Sequence, residues 1–134
     1  MKTHSQRLLP GDDLYLKLQN LAQEWSAACV LTCVGSLKVL SVRLAGAEHE
    51  KRLNGPFEIL SLSGTCCSTG LHLHISVADR EGRVLGGHLK SGSIIDTTAE
   101  IVIALLENTC FTRTMDSETG YLELEVKKVS QASS

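Results

Sequence analysis

Segments with apolar residues at alternate positions occupy most of the chain after residue 26, and this periodicity constrains the fold more than any other feature. Seven such segments can be recognised; they begin at Ala27, Leu37, Phe57, Leu71, Val84, Ala99 and Tyr121. Successive side chains of a strand point to opposite faces, so this alternation is typical of strands with one buried face. The sequence therefore predicts a sheet of about seven strands.

The apolar pattern also predicts how exposed each strand is. In "YLELEV" the apolar residues share one face, as in an antiparallel strand with one solvated side, whereas "EIVIALL" is apolar on both faces and predicts a central strand. We expect the first two strands to form a hairpin around Gly35-Ser36. Segments 47–56 and 108–120 are polar and predict loops.

Only one segment has the periodicity of a helix. Leu14, Leu18 and Trp25 fall on one helical face, and acidic residues precede them, where the helix dipole favours negative charge. This predicts one long N-terminal helix from about Asp12 to Trp25. Together with the strands it defines an α/β fold of the α+β type, with a mainly antiparallel sheet.

Length and composition limit the remaining possibilities. The 134 residues fit one domain, which we place at 1–129, followed by a disordered tail at 130–134. No apolar run approaches the ~20 residues of a membrane span, and the N-terminus lacks the apolar core of a secretory signal. We therefore expect an intracellular protein whose five cysteines are reduced and mostly buried.

Three of the five histidines lie within one short stretch, "LHLHISVADREGRVLGGHL". Strand alternation places His72 and His74 on the face opposite the apolar residues. A three-residue loop at 80–82, ending at Gly82, would place His74 directly across from His88. Directly opposed residues in a hairpin have Cβ atoms ~4.5–5.5 Å apart, so all three imidazoles would share one patch.

Two chemical interpretations of these histidines remain open. Zinc is the divalent metal most typical of imidazole ligands in a reducing compartment, and three histidines leave one coordination position for water. A two-residue turn, or a bulge at Gly86-Gly87, would send His88 to the other face, and the histidines would then be ordinary polar surface residues. Glu58 and Glu100 are candidate carboxylates to hydrogen-bond a ligating histidine.

Several segments taken together resemble a known family, the plants and prokaryotes conserved (PPC) domain. The matching segments, in the family's order, are "RLLPGDDL", "GPFEILSLSGT", "LHLHISVADREGRVLGGHL" and "TTAEIVI". The resemblance implies an α/β fold on a mainly antiparallel sheet, assembled as a homotrimer. It also implies that the "H-x-H" and "G-G-H" histidines are metal ligands, as in single-domain prokaryotic members.

The resemblance carries a second implication, which concerns partners. The family's protein-contact stretch corresponds to Gly55, Phe57, Glu58, Ile59 and Leu60, with Pro56 in place of the family's arginine. Plant members bind DNA through an Arg-Gly-Arg-Pro AT-hook, and this sequence contains no such element. We therefore do not expect tight binding to nucleic acid.

Two functions from different classes follow from these observations. The first is a non-enzymatic oligomeric module that binds protein partners or a small ligand and carries a divalent metal on the three histidines. The alternative is a metal-dependent hydrolase that uses a zinc-activated water. Direct DNA binding ranks third, because the net charge is −2 and the basic residues are scattered.

Overall fold

A computed structural model describes residues 1–130 of the chain. These residues contain one α-helix and eight strands. In chain order the elements are β1 (Lys2–Leu8), α1 (Leu14–Leu21), β2 (Ala28–Arg43), β3 (Lys51–Cys67), β4 (Gly70–Ala78), β5 (Val84–Leu89), β6 (Ile94–Leu105), β7 (Thr109–Met115) and β8 (Leu122–Lys128).

Six of the strands form one antiparallel sheet in the order β1-β6-β2-β3-β4-β5. The sheet curls, because β5 also pairs with the end of β2 through Val42 with Leu89 and Arg43 with His88. Strands β2 to β5 therefore form a closed ring. Strands β7 and β8 form a separate antiparallel hairpin. The mainly antiparallel architecture is confirmed, with strands divided six and two.

The helix is much shorter than predicted. It begins at Leu14, where the side chain of Asp13 caps it by accepting a hydrogen bond from the backbone N–H of Leu16 at 3.1 Å. It ends after eight residues and continues only as a 3₁₀ turn over Ala22–Glu24. Trp25 already has extended backbone angles, so the expectation of a long helix through Trp25 is wrong.

The predicted hairpin at Gly35-Ser36 is also wrong, because β2 is one continuous strand of 16 residues. A Cβ added at Gly35 would lie 2.1 Å from the backbone oxygen of Thr98 on β6. The glycine therefore allows two strands to approach closely and does not mark a turn.

Parts of both predicted loops are strands. Strand β3 begins at Lys51, inside the segment 47–56, and β7 occupies Thr109–Met115, inside the segment 108–120. Strand β1 was not among the predicted elements. The prediction for "EIVIALL" agrees with the structure, since this part of β6 lies inside the sheet between β1 and β2.

The main core lies between the curled sheet and α1. The helix contributes Leu14 and Leu18, which are fully buried, and β6 contributes Ile101 and Ile103. A smaller apolar cluster attaches the β7–β8 hairpin; it contains Ala27, Cys67, Phe111 and Leu124. This cluster fixes the hairpin against the end of β3 and the residue that precedes β2.

The cysteines behave as predicted: all five are free, and Cys33, Cys66 and Cys67 are buried. Burial raises the pKa of Cys33 to about 11 and, with smaller effects from two neighbouring cysteines, that of Cys66 to about 12.

No helix within residues 1–130 is long and apolar enough to cross a membrane. Apart from Ser130, the tail predicted at 130–134 lies outside the described residues.

Candidate metal centre

The turn between β4 and β5 sets the position of the histidines. Gly82 has a φ of +79°, and the backbone N–H of Asp79 donates to the carbonyl of Arg83 at 2.9 Å. The Asp79 carboxylate accepts from the backbone N–H groups of Glu81 and Arg83, each at 2.9 Å. The three-residue loop is thereby closed, and it confirms the predicted pairing of Asp79 with Arg83.

This turn gives the β4–β5 hairpin the predicted register. Ala78 pairs with Val84, Ser76 with Gly86, and His74 with His88. The pairing continues through both glycines without a register shift, so neither the two-residue turn nor a bulge at Gly86-Gly87 is present.

The three histidines form one compact cluster. Their candidate ligand nitrogens all lie within 4.8 Å of one another. The ring centroids of His74 and His88 are 4.5 Å apart with nearly perpendicular planes, and the rings of His72 and His88 stack at 5.5 Å. His72 and His74 are exposed and His88 is half-buried, whereas Leu73 and Ile75 on the opposite face of β4 are buried.

The cluster offers the ligand type and the number of protein ligands found in three-histidine zinc sites. Nitrogen ligands at ~2.0–2.1 Å from a tetrahedral zinc lie roughly 3.3 Å from one another. The candidate nitrogens lie within 4.8 Å of one another, so the imidazoles must come closer together to reach that distance. Three nitrogen ligands leave a coordination position open on the solvent side.

Positively charged side chains surround the cluster. A cavity of about 500 Å³ opens beside the histidines; its wall includes Arg43, His72, His88, Lys90, Arg113 and Glu123. Arg113, on β7, donates a hydrogen bond from Nη2 to Oγ1 of Thr65 on β3 at 2.9 Å. Arg43 donates from Nη1 to the carbonyl of Ala47 at 3.2 Å.

Burial and these charges act together on the imidazoles. Burial and then Arg113 lower the pKa of His72, and the carboxylate of Glu123 opposes them only in part. Burial and then Arg43 lower the pKa of His88, with smaller contributions from the other two histidines and Lys90. Lowered pKa values favour neutral imidazole, which is the form that binds metal.

The two carboxylates selected from the sequence lie away from the histidines. Glu58 is opposite Ala78 on β4, whereas His74 is opposite Ser63, so the two sites are five residues of β3 apart, or roughly 16 Å. Glu100 is on β6, separated from β4 by two strands. Within one chain neither carboxylate supports a histidine of the cluster.

The predicted partner-contact stretch lies on β3. Phe57 and Ile59 are buried in the main core, while Glu58 and Leu60 are exposed, Leu60 to 54%. Gly55 packs closely against β2, where an added Cβ would lie 2.6 Å from the backbone oxygen of Leu37. Within this stretch, Glu58 and Leu60 are therefore the side chains available to a partner.

Sequence reasoning missed four charged neighbours of the cluster, Arg43, Lys90, Arg113 and Glu123, and the last two were the least accessible to it. These two lie on β7 and β8, far along the chain from the histidines. The threonines and Phe111 of "TCFTRTM" were an available signal for a strand, since such residues favour β structure. No local pattern, however, predicts that this hairpin packs beside β4.

The sequence of this chain is similar over nearly its whole length to part of two curated proteins. It is 46% identical over 134 residues to the bifunctional protein GlmU of Synechococcus sp. strain JA-3-3Ab, covering 98% of this chain and 22% of that protein. The chain thus spans about a fifth of the length of the curated relatives it matches.

Solved structures match over nearly the whole chain. A hypothetical protein from Salmonella enterica is 39% identical, with a TM-score of 0.92 over 95% of this chain and 94% of its own. A metal-containing protein from Archaeoglobus fulgidus is 27% identical, with a TM-score of 0.78 over 92% of each chain. The model of the Plants and Prokaryotes Conserved (PCC) domain, the PPC domain named above, matches residues 1–107. The chain belongs to the PCC domain family.

Proposed function

We propose that this chain is an oligomeric binding module that holds a divalent metal, zinc in the first place, on His72, His74 and His88. The observation that carries the proposal is the convergence of these three ring nitrogens within 4.8 Å on one accessible face of the β4–β5 hairpin. The metal-containing protein of Archaeoglobus fulgidus, which has the same fold, supports it.

The module is proposed to act by binding, and its metal to be structural or regulatory. A divalent ion on the three imidazoles would tie β4 to β5, and β5 also closes the ring against β2. Binding free energy of this kind stabilises the folded chain, because the unfolded chain offers no assembled site. The protein partner or small ligand would then bind to the surface of the β4–β5 hairpin, whose structure the metal stabilises.

Oligomerisation is part of the proposal. One helix of eight residues covers only part of the sheet, and several apolar side chains remain exposed on the strands, among them Leu31, Val34 and Leu60. Burying such residues against other copies of the chain would stabilise an assembly, and we propose a homotrimer. Leu60 lies in the stretch proposed to contact partners.

A second candidate is a metal-dependent hydrolase, and Glu123 is the observation that favours it. Its carboxylate lines the same cavities as His72 and is a candidate general base. A bound divalent metal would supply an activated water and polarise a substrate oxygen. The role proposed for Glu123 is to accept a proton beside that position.

Elemental analysis of purified, tag-free protein tests the proposed function. About one zinc, or another single divalent metal, per chain supports a metal module. Protein without bound metal that also fails to take up zinc in a calorimetric titration at neutral pH contradicts it. Loss of a metal-dependent esterase activity in Glu123→Gln, with metal content unchanged, would favour the hydrolase over the module.

A further inference from the structure

We infer that the cavity beside the three histidines binds a small organic anion, with its oxyanion group between the metal position and the cations of Arg43, Lys90 and Arg113. The inference deepens the proposed function and rests on it, because the metal is one of the two positive partners of the anion. The surrounding positive charges indicate this ligand, whereas the three histidines alone do not.

Three cations meet at this cavity from three different parts of the fold. Arg43 comes from the end of β2, Lys90 follows β5, and Arg113 comes from β7 of the separate hairpin. Such convergence places a strongly positive field in one concave site, where the low-dielectric walls concentrate it. Glu123 supplies the single negative side chain among the residues lining the cavity.

None of these cations forms an ion pair within the described residues. The ion pairs of residues 1–130 join other residues, and none includes Arg43, Lys90 or Arg113. Arg43 and Arg113 each make a hydrogen bond to a neutral oxygen, which fixes the guanidinium without reducing its charge. Guanidinium groups held in this way are suited to carboxylate or phosphate oxygens.

The same charges weaken the binding of a metal on its own. A divalent cation on the histidines is repelled by three nearby positive side chains, and an anion in the cavity offsets that repulsion. Metal and anion should therefore bind with positive coupling, each raising the affinity of the other by the same factor. This reciprocity separates an anion site from a surface that is merely basic.

The size of the cavity indicates the class of ligand. About 500 Å³ lies within the range of small-molecule sites and exceeds the needs of a bare inorganic ion. Tyr121 and Leu122, on the side of β8, add apolar surface to the wall. The ligand expected is therefore a small organic molecule with a carboxylate or a phosphate group.

The test measures the zinc affinity of tag-free protein with and without an added anion. The anions are sodium malonate and inorganic phosphate. A chelator buffer sets the free zinc concentration at each point of the titration, and the ionic strength is kept constant. We expect at least one anion to raise zinc affinity by about fivefold or more. Enhancement by malonate alone identifies a carboxylate ligand, and enhancement by phosphate alone identifies a phosphate ligand.

Lys90→Gln and Lys38→Gln provide a matched pair of variants. Lys38 is an exposed lysine of β2 outside the cavity, so both substitutions remove the same charge. Lys90→Gln should weaken anion binding to the zinc-loaded protein by about three- to tenfold, and Lys38→Gln by less than about twofold. Equal losses in the two variants, or no effect of either anion on zinc affinity, would overturn the inference. Failure of zinc to bind at all would instead contradict the metal module itself.

Discussion

His74 on β4 lies directly opposite His88 on β5, with their ring centroids 4.5 Å apart. The turn closed by Asp79 and Arg83 sets this relationship, because a change of one residue in the loop would turn His88 to the other face. His72, one pleat away on the same face of β4, completes the cluster. The chemistry proposed for the protein thus depends on the geometry of one hairpin.

Replacement of the central histidine should remove most metal binding. In His74→Ala two ligands remain. Replacing a residue that hydrogen-bonds to a metal ligand typically lowers metal affinity by roughly 10- to 100-fold, and we expect the loss of the ligand itself to cost more. His49→Ala is the matched control, because His49 is an exposed histidine outside the cluster and should leave affinity unchanged. Calorimetric titration of both variants measures the difference; equal affinities would show that the cluster is not the site.

Zinc binding should weaken at acid pH. Protons compete with the metal for the imidazole nitrogens, and free histidine has a pKa of ~6.5. The pKa values of His72 and His88 are lowered by burial and by nearby arginines, so these rings stay neutral to lower pH than free imidazole. We expect affinity to be nearly constant from pH 8 to about 6.5 and to fall below about pH 6. Affinity unchanged between pH 7.5 and 5 would contradict imidazole ligation.

Gly86 on β5 should be needed for the pairing that places His88 opposite His74. A Cβ at Gly86 would lie 2.4 Å from the backbone oxygen of Ile75, so Gly86→Ala must push β4 and β5 apart. We expect a loss of about 1–3 kcal/mol in the free energy of unfolding, measured with urea, together with weaker zinc binding. Gly82→Asn is the control, because asparagine tolerates the positive φ of that turn and the space around it is open. Similar zinc affinities for Gly86→Ala and the wild type would refute this account of the hairpin.

The assembly proposed for the chain can be measured directly. Light scattering coupled to size-exclusion chromatography should give about three times the chain mass of 14.5 kDa at micromolar concentration. Leu60→Glu places a charge on an exposed apolar position in the proposed contact stretch and should shift the mass toward the monomer. A wild-type monomer at that concentration would rule out the proposed homotrimer.

The strands around the histidines could be predicted because their signals are local. Alternation predicted the face of His72 and His74, and Gly82 favoured the three-residue loop that pairs His74 with His88. A two-residue turn or a bulge at Gly86-Gly87 stayed open from the sequence, and the observed register excludes both. The errors arose where one residue type serves two purposes. Gly35 has the composition of a turn, but in the structure it allows β2 to approach β6 closely.

The rest of the site could not be predicted because it depends on distant packing. Arg113 and Glu123 reach the histidines only through the β7–β8 hairpin, which is attached by a small cluster including Phe111 and Leu124. Both residues also lie beyond the segment 1–107 that matches the family. Glu58 and Glu100 were selected from their apolar sequence contexts, which carry no information about which strands become neighbours.

The most direct measurement of the central claim is nitrogen-15 NMR of the imidazole side chains during a zinc titration of metal-free protein. The ring nitrogens of His72, His74 and His88 should move together to metal-bound shifts and reach their end point at one zinc per chain. Those of His4 and His49 should remain where they are, since neither residue belongs to the cluster. Zinc shifts at other histidines, or no shift at these three, would contradict the account.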